Sequence, residues 1–478
     1  MMNINSKYKN MAPAVKASFW FMICNILQKG LAFLVIPIYT RLLTTAEYGT
    51  YSVYNSWMAL FAVFATLSIS SEYFVIVVLK NKTDTDEILS ILQGCSSATC
   101  VVFFSILYAW QPILEPFLHI SLPMLIIMFA QVFFSTPLLF LTRKYQYLYK
   151  YKFIVIVTLS MSLMTVAISL LMINVLPDKS MSLIAGAATV QIIGGIILYI
   201  YNISKGKRIF DKRYWKDAIT YCIPLIPHNL AYYVLNSSDR VMIDCFCSTS
   251  DAGIYSLAGN ICIAINVITN AIGSTLNPWV LSKLKKQEYK TIAKTINEIV
   301  LGLGVLFIGV SLIMPEALLI AASSDYKDAK WSMPPILLGA FFLFLGGIPC
   351  LISLYHEKTI LVSCASASAA VLNIVLNSIA IPKMGYIAAA YTTMISYGFF
   401  ALFHFILANI WSIKYKYFNK PFDNIIILLL SLCTILLVLL SLTLYNYPII
   451  RYILIIIIVT IIFILRKNIM AFILKLKG

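Results

Sequence analysis

Fourteen long apolar stretches decide what this chain can fold into. They cover approximately residues 17–39, 51–79, 88–110, 117–141, 153–176, 181–203, 218–243, 253–281, 292–322, 332–354, 359–381, 385–411, 425–445 and 449–465. Crossing about 30 Å of hydrocarbon takes roughly 20 helical residues, and most of these runs meet that length. Membrane-barrel strands would show alternation over about ten residues instead. Hydrophobic residues make up 61 % of the 478 and charged residues only 12 %. A water-soluble chain of this length has no interior large enough to hide that much apolar surface. A soluble enzyme, a secreted disulfide scaffold and a disordered chain are thereby excluded. The fold class is all-α: a polytopic membrane protein of about 14 transmembrane helices. The first run suits a spanning helix better than the shorter apolar region of a cleaved signal.

The charges between the runs give orientation. With the N-terminus placed inside, 28 of the 36 Lys and Arg fall in inner segments, the largest group being Lys205, Lys207, Arg208, Lys212, Arg213 and Lys216. Lys7, Lys9 and Lys82 belong to the same inner set. Seven lie outside: Arg41, Lys179, Arg240, Lys327, Lys330, Lys383 and Arg451. One miscounted helix would scramble this alternation, so it supports the count and places both termini in the cytoplasm. The net charge of +17 follows from that bias, and no soluble basic domain exists to hold nucleic acid. The ten cysteines are scattered mostly through apolar runs and read as small hydrophobes. No outer connection is long enough to be a catalytic domain.

The halves repeat. Glu47, Gly49, Tyr51 and Ser52 match Asp251, Gly253, Tyr255 and Ser256 at an offset of 204. Met181, Ile184, Ala185, Ala187 and Thr189 match Met384, Ile387, Ala388, Ala390 and Thr392 at 203. Two six-helix lobes follow, at 1–210 and 211–412, with two extra transmembrane helices and a cytoplasmic tail at 413–478. An even helix number makes the lobes parallel repeats with a substrate path between them. In the acidic-x-Gly motif, glycine permits a tight turn before a helix and the acid favours the positive helix end.

Ionisable groups at mid-bilayer cost about 2.5–3.5 kcal/mol on insertion scales and usually face a cavity. Lys29 stands at the centre of the first run, with Asn25 and Gln28 on its face and Arg41 at the outer end. These four form a polar wall. Asn229, Asn236 and Arg240 recur on one face of the seventh run, which Pro224 and Pro227 break near its inner end. Asp239 beside Arg240 is a gating pair or a fixed local one. Glu72, deep in the second run, answers Lys29 or exchanges protons. His404 reads as a satisfied core histidine. No phosphate-binding loop, dinucleotide fingerprint or metal-ligand spacing occurs, so the chain reads as no enzyme, with no cofactor, and with H+ or Na+ as coupling ion.

Lys29-Gly30, Pro37 to Leu43 and Glu47-Tyr48-Gly49-Thr50-Tyr51 resemble the N-terminal signature of the polysaccharide biosynthesis membrane proteins. These are the O-antigen and capsule repeat-unit flippases of the multidrug/oligosaccharidyl-lipid/polysaccharide (MOP) exporter superfamily. Ser238-Asp239-Arg240 with Asp251 to Ser256 resembles their second-lobe signature, and Gly385 to Ala390 a third patch. The resemblance spans Ala17 to Trp411. It implies a two-lobed, MATE-like fold of 12 or 14 helices in the bacterial inner membrane. It implies outward movement of undecaprenyl-diphosphate-linked oligosaccharides for O-antigen, lipopolysaccharide or capsule synthesis. Expected partners are that lipid-linked oligosaccharide, membrane lipids, a polysaccharide polymerase and a chain-length regulator. Family cavities are cationic, which carries onto Lys29, Arg41 and Arg240. Alternatives are a cation-coupled drug or metabolite exporter of the same superfamily and a lipid-II-type flippase.

Overall fold

The computed structural model describes residues 12–80 and 84–477; Lys7, Lys9 and Lys82 lie outside them. Among the described residues every regular element is helical. The chain divides into two compact units, Met1–Ser237 and Ser238–Gly478. Among the described residues eleven helices are long and apolar enough to cross a membrane, as a multi-pass membrane protein requires.

The first unit holds α1 (Pro13–Leu42), α2 (Thr45–Thr66), α3 (Tyr73–Lys80), α4 (Thr85–Leu118), α5 (Leu122–Tyr147), α6 (Lys152–Ile173), α7 (Lys179–Gly206), α8 (Lys212–Cys222) and the start of α9 (Ile226–Phe246). Helices α4, α5 and α7 pack around Phe74, Leu92, Phe140 and Leu141, all nearly inaccessible. The second run departs from its reading as one span. It is two helices separated by turns at Leu67–Glu72, with Leu67 and Ser68 in left-handed backbone. Glu72 therefore stands at a helix break rather than inside a helix. The seventh run divides too: α8 ends at Cys222, and a 3-10 turn at Ile223–Leu225 carries the chain past Pro224 to Pro227.

The second unit continues with α10 (Thr249–Lys285), α11 (Tyr289–Ala321), α12 (Met333–Tyr355), α13 (Thr359–Met384), α14 (Ile387–Lys414), α15 (Asn424–Leu444) and α16 (Pro448–Lys477). Helices α12 and α14 pack closely because Gly346 lies against Ala401. A Cβ at Gly346 would stand 2.8 Å from the Ala401 Cα. The last two helices pack on α11, where Tyr445 donates to the Ser311 carbonyl at 3.0 Å. Arg451, 3 % exposed, pairs with Glu316 at 2.5 Å.

The repeated acidic-x-Gly motif caps helices, by a route the sequence reading missed. Gly49 and Gly253 lie inside α2 and α10, not in the preceding turns. Thr44 and Ser248 are the caps. The Glu47 and Asp251 backbone N–H groups donate to their hydroxyls at 3.2 and 3.1 Å. Each acid returns the bond: Glu47 accepts from the Thr44 backbone at 2.7 Å, and Asp251 accepts from the Ser248 hydroxyl at 2.7 Å. The acids thus occupy the first helical turn, where a negative charge meets the positive helix end.

Candidate functional site

In the first unit, α1 packs on α6 through a narrow face that buries Ala17, Cys24 and Val35. The polar residues of α1 separate about that face. Gln28 turns toward it, half-buried, and its Nε2 donates to the Ser162 hydroxyl of α6 at 3.0 Å. Asn25, Lys29 and Arg41 are exposed. Lys29 makes no ion pair among the described residues, and in particular none with Glu72. An ammonium held open in the middle of an apolar helix of 30 residues is tolerated only where water reaches it.

Deeper in this unit lie polar side chains that sequence reasoning did not select. The Tyr54 hydroxyl donates to Gln131 at 2.5 Å, and Gln131 donates on to Gln191 at 3.3 Å. Asn202 donates to Gln93 at 2.7 Å. Each bond joins two helices, and Gln93, Gln131 and Asn202 are all but fully buried. In hydrocarbon an unmet donor or acceptor is costly, which favours such pairing, although Gln93 Nε2 lacks a partner among the described residues.

The second unit carries the denser constellation. Asp239 of α9 is 5 % exposed, and its carboxylate collects three donors from three other helices. The Tyr255 hydroxyl of α10 lies at 2.6 Å, the Thr393 hydroxyl of α14 at 2.6 Å and Asn377 Nδ2 of α13 at 2.7 Å. Behind them Asn373 donates to Thr393 at 3.0 Å, Ser238 donates to Asn373 at 3.3 Å, and Thr392 donates to Asn377. Three neutral donors bond the Asp239 carboxylate, and the neighbouring Arg240 adds a favourable charge; its guanidinium also lies 3.4 Å from a Cβ placed on Gly259 of α10. Among the described residues no three His, Cys, Asp or Glu side chains gather as a transition-metal site. The cluster instead offers carboxylate, amide and hydroxyl oxygens, the donor set of a hard cation or a proton. On α9, Asn236 is exposed and donates back to the Tyr232 carbonyl at 2.7 Å, and Asn229 is half-buried.

A model of the polysaccharide biosynthesis protein family matches residues 14–285, more than half of the chain. The chain belongs to that family. A relative in Haemophilus influenzae, the Lsg locus putative protein 1, is 21 % identical over 282 residues, 57 % of this chain and 67 % of that one. Among solved structures, the lipid II flippase MurJ in an inward closed conformation superposes with a TM-score of 0.66. It is 15 % identical and covers 94 % of this chain and 99 % of its own. An inward-facing multidrug resistance MATE transporter of the MOP superfamily follows at 0.60, 11 % identity and 80 % and 94 % coverage. A MOP transporter from Pyrococcus furiosus, described as having a binding pocket of reversed polarity, gives 0.51 at 13 % identity, with 83 % and 95 % covered. At such identities the likeness is one of fold. This polysaccharide biosynthesis protein has the polytopic, flippase-type transporter fold of that superfamily.

Of the predicted site residues in this family member, the fold brings Asp239 into a four-helix cluster and leaves Asn25, Lys29, Arg41 and Asn236 exposed at the surface of their helices. Gln28 is drawn into the packing against α6. Asn373 and Asn377 were missed. Their signal was present: two asparagines four apart in an otherwise apolar run share a helix face and need partners. His404 departs from the satisfied histidine expected. It is fully buried against Phe400, at 4.6 Å between rings, and neither ring nitrogen has a hydrogen-bond partner among the described residues.

Proposed function

We propose that this chain flips undecaprenyl-diphosphate-linked oligosaccharide repeat units from the inner to the outer leaflet by alternating access. The observation that carries the reading is Lys29, an exposed ammonium midway along α1 with no ion pair among the described residues. A diphosphate with several sugars loses its hydration in hydrocarbon, and a cationic lining replaces it. In the first unit Lys29 and Arg41 on α1 supply that charge and Asn25 offers an amide to sugar hydroxyls; Asn236 and Arg240 on α9 are the corresponding groups at the start of the second half. Outward movement of an anion from a negative cytoplasm gains about 2.3 kcal/mol per charge per 100 mV. Asp239 serves as the coupling group, taking H+ or Na+ within its neutral oxygen cluster.

Family membership and a fold shared with a lipid II flippase support this reading. Lys29→Ala should abolish transfer of lipid-linked saccharide to the outer leaflet at unchanged protein level, and Lys29→Arg should restore part of it. Normal surface glycan in the alanine variant would refute the assignment. If wild-type vesicles instead export cationic drugs and leave the glycolipid in place, the exporter reading replaces it.

A further inference from the structure

The segment from Lys205 to Ile223 is not used by the transport reading, and its surface is unusual. It carries six cations, Lys205, Lys207, Arg208, Lys212, Arg213 and Lys216, against two acids, Asp211 and Asp217. Helix α8 is firmly seated. Ala218 and Cys222 are buried among Ile88, Leu89 and Leu92 of α4, and Trp215 Nε1 donates to the Ile91 carbonyl at 3.0 Å. Arg208 is spent on the seating: it pairs with Glu87 at 3.3 Å and with Asp211 at 2.8 Å. Asp211 also caps α8 by accepting from the Arg213 and Tyr214 backbone.

What is left over faces outward. Lys205, Lys207, Lys212, Arg213 and Lys216 are exposed and form no ion pair among the described residues. Between them stand Ile209 at 44 % and Phe210 at 58 % exposure, with Ile223 at 50 % just beyond. The chain enters this segment directly from the spanning helix α7, so it lies at headgroup depth. Basic side chains interleaved with exposed apolar ones, on a short helix pinned beneath, make an interfacial surface rather than a water-facing one. We infer that this segment binds anionic phospholipid head groups of the adjoining leaflet. The five open cations meet the phosphates, and Ile209 and Phe210 enter the acyl boundary. Charge complementarity selects that occupant, and the apolar pair is what a free phosphate would not require. The inference rests on the membrane-spanning reading alone and is independent of the cargo.

The test compares the purified full chain with a Lys212→Gln, Arg213→Gln, Lys216→Gln variant. These three side chains make none of the seating contacts, so the melting temperature should be unchanged. Retention of phosphatidylglycerol and of phosphatidylcholine is counted by native mass spectrometry after mild delipidation. The wild type should hold phosphatidylglycerol selectively and lose it as salt rises. Each cation near an anionic surface is worth about fivefold, so the triple variant should lose tenfold or more of that retention. A Lys414→Gln, Lys416→Gln, Lys420→Gln variant in the second unit controls for general basicity and should keep it. Equal loss in the control overturns the inference. So does ready displacement of the lipid by inorganic phosphate, or unchanged retention in the triple variant. Loss on Phe210→Ser with charges intact would support it independently.

Discussion

Asp239 shows how a single buried charge is kept in a membrane protein. Three donors at 2.6–2.7 Å satisfy its carboxylate, and each comes from a different helix. Asn377→Leu would remove the Nδ2 donor to Oδ1 and should cost about 1–3 kcal/mol, read as a lower melting temperature in detergent. Asp239→Asn keeps the shape and removes the charge. It should leave the protein folded and monodisperse while abolishing gradient-driven transport, which a proteoliposome flipping assay measures. Unchanged transport would remove Asp239 from the coupling role. Asp239 itself was legible from sequence because an acid in an apolar run is conspicuous. Of its partners, Asn377 was legible through its spacing of four from Asn373, whereas Tyr255 and Thr393 were not, because tyrosine and threonine are common in spanning helices. Only the fold brings Thr393 and Asn377 to the same carboxylate.

At the scale of elements, each of the eleven helices long and apolar enough to span among the described residues falls on one of the fourteen apolar runs, since run length maps onto helix length. The second, seventh and fourteenth runs correspond to none of the eleven. Breaks were harder to see. Pro224 and Pro227 announced the 3-10 turn before α9. The break at Leu67–Glu72 has no proline or glycine to mark it, and it separates Glu72 from the helix it was assigned to. The caps were half legible: the acid and its spacing were visible, whereas Thr44 and Ser248 do the capping. Two contacts between elements make predictions. Arg451→Met would leave Glu316 with the Tyr452 hydroxyl but without its cation and should cost about 1–3 kcal/mol, read as a lower melting temperature and recovered in part when Glu316→Gln is added. On the α12–α13 connection, His356 stacks on Tyr415 at 3.6 Å and meets the Tyr417 hydroxyl at 2.6 Å. Burial, then Lys358, push its pKa below the usual value, so folding favours the neutral ring. The unfolded chain takes up the proton first as pH falls. Stability should therefore be full above about pH 6.5 and decline below it, a slope that His356→Phe should flatten in a melting series.

For the molecule as a whole, the charge alternation makes orientation testable without a structure. Cys245 and Cys247 are exposed at the end of α9 and should react with an impermeant maleimide added to intact cells. Ser204→Cys, exposed near the end of α7, should react only after the membrane is opened. The reverse pattern would invert the topology. The two C-terminal helices raise a different matter. They sit on α11, cover the Gly304 side through Thr434, and hold Glu316 through Arg451. A chain stopped at Ser412 would therefore uncover a carboxylate and a stripped helix flank to oily surroundings. The tail is a sheath, and losing it should send the protein to degradation before any question of cargo arises.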